Sequence, residues 1–451
     1  MDAMNEKHEI PASPELTPAA PAEAEAVAVG FENAHPADGA DLLEDLPLAE
    51  QMSVLQSLDT SDAADFVAEM EKHDRAVLMR ALSPDLAADI LEEMSPDDAA
   101  DVLEDLDAAH QQALLQRVES DEAQEIETLL NFDSDTAGGV MNTEVTVLEQ
   151  NLTVDQAIAL IRRAAEESEI PYYAYVVDDQ EHLVGVVSLR NLMLARPGKP
   201  LREMLENQQL ITATHDTDKE EVAHLISHYN FLALPVVDAD GRLLGVVTHD
   251  DVIDIIHEEA SEDMLGMVGA GQNETVDTPW LRSVTLRLPW LVINVANSAV
   301  AAWVVHQFEG TIAQMAILAA LMPIVANQAG NSGQQSLAVM IRQLAMETWD
   351  RKRAWTAVLR ESKIGLLNGL MVGILVLCGV FVLTHHGDLA AVMALALGLD
   401  MVVGNVAGAM IPVVLRELGR DPAQASSIFL TTITDSTGFF LFLGLANVLL
   451  L

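Results

Sequence analysis

Residues Ser427 to Leu445 form a run long and apolar enough to cross a bilayer as a helix, yet Asp435 stands near its middle. A carboxylate at that depth costs ~2.5–3.5 kcal/mol on insertion scales, so it normally faces a partner or water. Helical spacing places Thr431, Asp435, Gly438 and Phe442 along one stripe. A hydroxyl, a carboxylate and a gap on one face suit a hydrated cation. The structural alternative is a protonated Asp435 hydrogen-bonded to a neighbouring helix.

The rest of the C-terminal part follows from that run. Apolar spans are expected at roughly 285–308, 311–330, 363–384, 388–415 and 425–450. Arg282 and Arg287 precede the first, Arg342, Arg351, Lys352, Arg353, Arg360 and Lys363 are expected in the loop between the second and third, and Arg416 and Arg420 separate the last two. The alternate loops carry no Lys or Arg, which predicts a cytoplasmic N-terminus and a C-terminus outside. Pro323, Gly330 and Gly333 are expected to break the second span, with Asn327, Asn331 and Gln334 offering amide oxygens. Such backbone at membrane depth is tolerated where it lines water. The fourth span holds Gly404, Asn405 and Gly408, suited to close helix contact, and a second intramembrane carboxylate, Asp400.

Charge divides the chain at the same place. Residues 1–272 hold 59 Asp and Glu against 13 Lys and Arg, whereas residues 273–451 hold 11 against 10. So acidic a region makes nucleic acid an improbable partner and cations natural ones. No secretory signal opens the sequence, and the acidic region is expected in the cytoplasm. The single cysteine, Cys378, lies in an apolar run and excludes a disulfide framework.

Residues 1–36, rich in Ala, Pro and Glu, are expected as a disordered tail. Ala63-Ala64-Asp65, Ala87-Ala88-Asp89 and Ala99-Ala100-Asp101 then recur at spacings of 24 and 12, and two of them follow Ser-Pro-Asp helix starts at Ser83 and Ser95. Residues 37–130 read as an acidic all-α superhelix, an interaction module.

Residues 131–257 change period. Tyr175–Asp178, Leu183–Ser188 and a helix near Arg190 are repeated 60 residues later by Pro235–Asp238, Leu243–Thr248 and a helix from His249. The unit resembles a tandem pair of cystathionine-β-synthase (CBS) domains, with motifs Gly185, Ser188, Asn191 and Gly245, Thr248, Asp251. The resemblance implies α/β units and an optional adenine nucleotide such as ATP, held by Ser/Thr and Asp of the motif. Thr248 and Asp251 offer the stronger set; Ser188 belongs to the weaker one, and Arg190 or a Mg²⁺ ion would serve the phosphate. Residues 258–280 join this pair to the spans, with Glu258, Glu259, Glu262 and Asp263 close together on a helix.

The whole resembles the MgtE family of magnesium channels and transporters. The resemblance rests on Pro323, Gly330, Asn331, Gly333 and Gln335, and on Thr434, Asp435, Thr437 and Gly438. It implies a homodimer in the lipid of the inner (plasma) membrane, with a five-helix transmembrane domain over 281–451 and a pore on the two-fold axis. Asp435 becomes the selectivity carboxylate, with Asn331 nearby and Thr431, Thr434, Gly330 and Asn327 lining the pore. Glu258, Glu259, Glu262 and Asp263 become the acids of a connecting plug helix, and Asp421 and Asp250 further Mg²⁺ positions. Asp400 matches no position of the family pattern. Mg²⁺ is small and dehydrates reluctantly, so one or two carboxylates holding a hydrated ion suit it. Cytoplasmic Mg²⁺ would draw the acidic domains together and close the pore. A proton-coupled carrier of Mg²⁺, Co²⁺ or Mn²⁺ and a membrane-anchored nucleotide sensor are the competing readings. No nucleophile–base set marks an enzyme.

Overall fold

Helices begin every twelve residues from residue 36 to residue 120: α1 (Pro36–Glu44), α2 (Leu48–Leu55), α3 (Thr60–Ala68), α4 (Lys72–Ala81), α5 (Pro84–Glu92), α6 (Pro96–Glu104), α7 (Ala108–Leu115) and α8 (Ser120–Leu129). Helices this short are marginal alone, so stacking must hold them. Leu46, Leu58, Met70, Leu82, Met94, Leu106, Val118 and Leu130, one per repeat, all join a single core. Ser83, Ser95 and Asp107 cap α5, α6 and α7 through their side chains. The spacings of 24 and 12 seen in the sequence are therefore samples of one twelve-residue period.

The computed structural model describes residue 31 and residues 34–164, 173–206, 209–271, 274–276, 278–346, 351–424 and 426–451. The expected disordered tail lies outside them as far as residue 30. Phe31 is buried, 5.8 Å from the Phe66 ring, so packing begins ahead of the boundary expected at 36.

The CBS pair consists of β1 (Val147–Glu149), α9 (Val154–Ala164), β2 (Tyr173–Val177), β3 (Leu183–Ser188), α10 (Leu189–Leu194) and α11 (Arg202–Leu205), then β4 (Ala213–Thr214), α12 (Lys219–Tyr229), β5 (Ala233–Val237), β6 (Leu243–Thr248) and α13 (His249–Val268). Each half is a three-stranded sheet with one parallel and one antiparallel pairing. The register repeats at the same 60-residue offset, Val176 opposite Gly185 and Val236 opposite Gly245. Tyr175, Leu183, Val237 and Val246 close the space between the sheets. The core of the helical repeat runs on into the second half, through Met141, Val222, Val236 and Val252.

The chain divides into two units at Ile256/His257. That point falls inside α13, which runs unbroken from the second CBS motif to Val268 and stops where Gly269 takes φ +73°. Of the connecting helix expected over 258–280, residues 258–268 form the second half of a longer helix, and the described residues between 269 and 279 are not helical.

The second unit contains α14 (Trp280–His306), α15 (Glu309–Gln314), α16 (Ile317–Met346), α17 (Arg351–Thr384), α18 (Gly387–Glu417) and α19 (Ser426–Leu449). Among the described residues, α14, α17, α18 and α19 are long and apolar enough to cross a membrane. The fifth long helix, α16, carries Asn327, Gln328, Asn331, Ser332, Gln334 and Gln335 in its middle and does not meet that standard.

Two expectations are corrected here. Pro323, Gly330 and Gly333 do not break the second span: α16 is continuous, with Pro323 inside it. The glycines serve close packing instead. A Cβ at Gly333 would lie 2.8 Å from the Gly404 carbonyl oxygen, and one at Gly404 would lie 2.6 Å from that of Ala329. The basic residues also do not fill a loop, since Arg342 lies in α16 and Arg351 to Lys363 form the first turns of α17.

Helix α18 is the hub, packed against α16, α17 and α19. Gly365, Gly369 and Gly373 bring α17 onto it, and Asn405 ties it to α16. The Asn405 Nδ2 donates to Ser332 Oγ at 2.6 Å, and Ser336 Oγ donates to the Asn405 carbonyl at 2.9 Å.

Candidate functional site

In the second unit the polar residues gather along one edge of the bundle. Asn327, Asn331, Gln334 and Gln335 are exposed on α16 at helical spacing, while Ala329, Ser332 and Gly333 face inward. On α19, Thr434, Gly438 and Phe442 are buried and Thr431 and Asp435 are half-exposed. The stripe expected from the sequence is therefore two adjacent lines: Gly438 and Phe442 turn inward with Thr434, whereas Thr431 and Asp435 stand at the edge. A Cβ at Gly330 would lie 3.6 Å from Thr434 Oγ1, so the two helices meet at that level.

The hydroxyls on α19 satisfy themselves within the helix: Thr431 Oγ1 donates to the Ser427 carbonyl at 2.8 Å and Thr434 Oγ1 to that of Leu430 at 3.2 Å. Asp435 meets no hydrogen-bond donor or cation among the described residues. A polar seam ending in a carboxylate suits a watery path, because in hydrocarbon each such group would be left unsatisfied.

Behind this edge lies Asp400, fully buried on α18. Thr437 Oγ1 donates to its Oδ1 at 2.7 Å, and among the described residues its Oδ2 has no partner.

At the base of the bundle, Glu258, Glu259, Glu262 and Asp263 are half-buried along one face of α13. Gly266, one turn on, lies against Ala423, and a Cβ there would be 3.8 Å from Asp421 Oδ2. The linker acids and Asp421 thus share the side of the bundle at which α19 begins. Glu274 accepts from Arg287 Nε at 3.0 Å and also pairs with its Nη2. The hydrogen bonds from Arg287 and Ser283 hold the Glu274 carboxyl down at about 2.

The first unit holds a second acidic cluster. Burial, then the Asp251 and Asp98 carboxylates, push Asp97 up to about 8. Burial is also the main cause that raises Asp251 to about 6, against the hydrogen bond from Thr248. Glu69 is raised by burial and by Asp98, Asp254 and Asp250. Asn142 Nδ2 donates to Asp97 Oδ1 at 3.0 Å, bringing the start of α6 beside the second CBS half. Asp250, exposed at the start of α13, belongs to the margin of this group. Asp97 and Asp98 follow Ser95-Pro96 and read from the sequence only as acids at a helix start; the twelve-residue period was the signal that could have placed them. Among the described residues, no three His, Cys, Asp or Glu side chains are arranged to hold a metal ion.

The two CBS motifs differ. Thr248 donates through both its backbone N–H (3.2 Å) and its Oγ1 (2.5 Å) to Asp251 Oδ2, closing a cap on α13. That carboxylate is committed to the turn and to the acidic cluster. Ser188 caps α10 by accepting from the Asn191 N–H at 3.2 Å, and Arg190 is exposed beside it. A cavity of about 270 Å³ opens at the first motif, lined by Val186, Val187, Asn191, Glu203, Met204 and Glu206.

A pair of CBS domains joined to an apolar helical bundle with a polar seam defines a multi-pass membrane protein with an appended α/β module. Family comparisons agree with each part. Residues 322–445 match the divalent cation transporter family MgtE, residues 34–135 the MgtE intracellular N domain, and residues 137–198 and 202–258 CBS domains. The magnesium transporter MgtE of Enterococcus faecalis is 37% identical over 328 residues, 73% of this chain and 72% of the relative. That of Thermus thermophilus is 37% identical over 347 residues, 76% of each chain. A crystal structure of the cytosolic domain of the Mg²⁺ channel MgtE in complex with ATP is 37% identical, covering 51% of this chain and 94% of that one at TM-score 0.49. The chain belongs to the MgtE family of magnesium transporters.

Proposed function

We propose that the protein is a homodimeric Mg²⁺ channel of the inner membrane, closed by cytoplasmic Mg²⁺ bound among its acidic domains. The observation that carries this reading is that Asp435, half-exposed and without a partner among the described residues, lies on α19 one residue from Thr434, where that helix meets α16 at Gly330 and its exposed amides. A second protomer set against that edge would give two Asp435 carboxylates facing each other, a charge suited to a hydrated divalent ion. In this reading α16 is the fifth span, its polar edge turned to water rather than to lipid. Trp280 and Trp303, both exposed on α14, are 23 residues apart, about 35 Å along a helix, the spacing of two membrane interfaces. The basic residues then put the acidic domains in the cytoplasm and the C-terminus outside.

Closure follows from charge. Asp97, Asp98 and Asp251 repel one another; Mg²⁺ there, or among the acids of α13 and Asp421, favours the arrangement that brings carboxylates together. An adenine nucleotide is an optional ligand, placed in the cavity beside Asn191 rather than at the Thr248–Asp251 turn. The Enterococcus faecalis and Thermus thermophilus relatives are both named magnesium transporters.

Purified protein in liposomes tests the reading. It requires Mg²⁺ influx that saturates, falls as Mg²⁺ rises on the side of the acidic domains, and is indifferent to a pH gradient. Influx that needs a proton gradient would replace the channel with a carrier.

A further inference from the structure

We propose that Asp400 is a positioning residue of the cation pathway, acting on Asp435 through Thr437; the inference rests on the pathway reading above. Asp400 is fully buried, accepts from Thr437 Oγ1 at 2.7 Å, and has no partner for Oδ2 among the described residues. That oxygen presses against Gly438, where a Cβ would overlap it.

Packing alone gives no reason for a carboxyl here. Thr437 already has an acceptor in its own helix, the Ile433 carbonyl at 2.7 Å, so α19 is satisfied without Asp400. Burying a polar group with half its hydrogen bonds unmade is unfavourable by roughly 1–3 kcal/mol. An apolar residue would avoid that cost.

What Asp400 supplies is rotational phase. Successive residues turn about 100° round a helix, so Thr437 and Gly438 lie about 200° and 300° from Asp435. Pinning Thr437 by a hydrogen bond, and seating Gly438 under Oδ2, keeps that side of α19 against α18. Asp435 is thereby held toward the half-exposed edge. A Thr hydroxyl bonded only to its own helix bends it; one shared with Asp400 is anchored to a neighbour.

The test measures half-saturating Mg²⁺ and the Mg²⁺ to Na⁺ permeability ratio of the full-length protein in liposomes. Variants are Asp400→Ala, Asp400→Asn, Thr437→Val, the Asp400→Ala/Thr437→Val double and Asp435→Asn. A misdirected ligand predicts that Asp400→Ala raises half-saturating Mg²⁺ about tenfold and lowers the permeability ratio about tenfold. Thr437→Val should match it, the double variant should be no worse, and Asp400→Asn, which keeps an acceptor for Thr437, should recover to within about twofold. Asp400→Asn as impaired as Asp400→Ala would overturn the inference in favour of a role for the charge itself. Wild-type values in Thr437→Val would overturn it even if Asp400→Ala failed to fold. Undiminished flux in Asp435→Asn would instead remove the pathway reading beneath it.

Discussion

The first unit and the second use carboxylates in opposite ways. In the helical repeat and the CBS pair, acids are numerous and weakly individual: Asp97, Asp98 and Asp251 act on one another, with Glu69 and Asp250 at the margin. Midway along α18 and α19 stand Asp400 and Asp435, the first buried and bonded to Thr437, the second half-exposed at an edge. A cluster of mutually repelling carboxylates and a single carboxylate set among helices are different arrangements of the same chemical group, and under the proposed function they would serve regulation and permeation respectively.

The contrast is broken most severely at Asp435. Asp435→Asn keeps the size and loses the charge, and Mg²⁺ influx into liposomes should fall by at least about a hundredfold. Flux within threefold of wild type would show that a single placed carboxylate does not matter.

Next in size is the packing that places it. A Cβ at Gly408 would overlap the Gly333 carbonyl oxygen, so Gly408→Val should cost more than about 3 kcal/mol. Loss of a monodisperse detergent-solubilised peak is the readout, and a well-behaved, active variant would refute the close contact of α16 and α18.

Neutralising the cluster should be gentler. Asp97→Asn with Asp98→Asn should shift the inhibitory Mg²⁺ midpoint upward by about three- to tenfold with maximal flux unchanged. Point changes are preferable to deleting the helical domain, because its core continues into the second CBS half. An unmoved midpoint would detach this cluster from gating.

The same cluster gives a pH dependence. Asp97 is raised from 3.8 to about 8 and Asp251 from 3.8 to about 6, so the folded form binds protons that the unfolded chain releases. This contribution to stability is complete below about pH 4 and is lost as pH rises towards 8. Protease resistance of the acidic region in Mg²⁺-free buffer should therefore decline from pH 5 to pH 8, and Mg²⁺ should restore more of it at pH 8. Equal rescue at both values would contradict competition between protons and Mg²⁺.

The smallest effect expected is at Ser95, whose Oγ accepts from the Asp98 N–H at the head of α6. Ser95→Ala should remove about 1 kcal/mol, read as a lower urea midpoint for the acidic unit with flux intact.

Much of this was legible in the chain. Tandem motifs at a 60-residue offset, Ser-Pro-Asp helix starts and a span interrupted by Asp435 each carry a local cause that survives folding. The eight-fold helical period was only partly read, because Ala-Ala-Asp recurs in three repeats while the apolar residue closing each repeat varies among Leu, Met and Val. The glycines of α16 were misread: one sequence cannot distinguish a glycine that ends a helix from one that lets a neighbour approach, since the reason lies in the carbonyls of Gly404 and Ala329. Asp400 was visible as a charge, but its partner, Thr437, is 37 residues away, and only packing could bring them together.

Helix α13 starts at the CBS turn and ends beside the loop that leads into α19. At 20 residues it is a rod about 30 Å long. It has no joint along that length, so the Thr248–Asp251 turn and the acids at 258–263 stand on one continuous hydrogen-bonded element rather than on two elements linked by a loop.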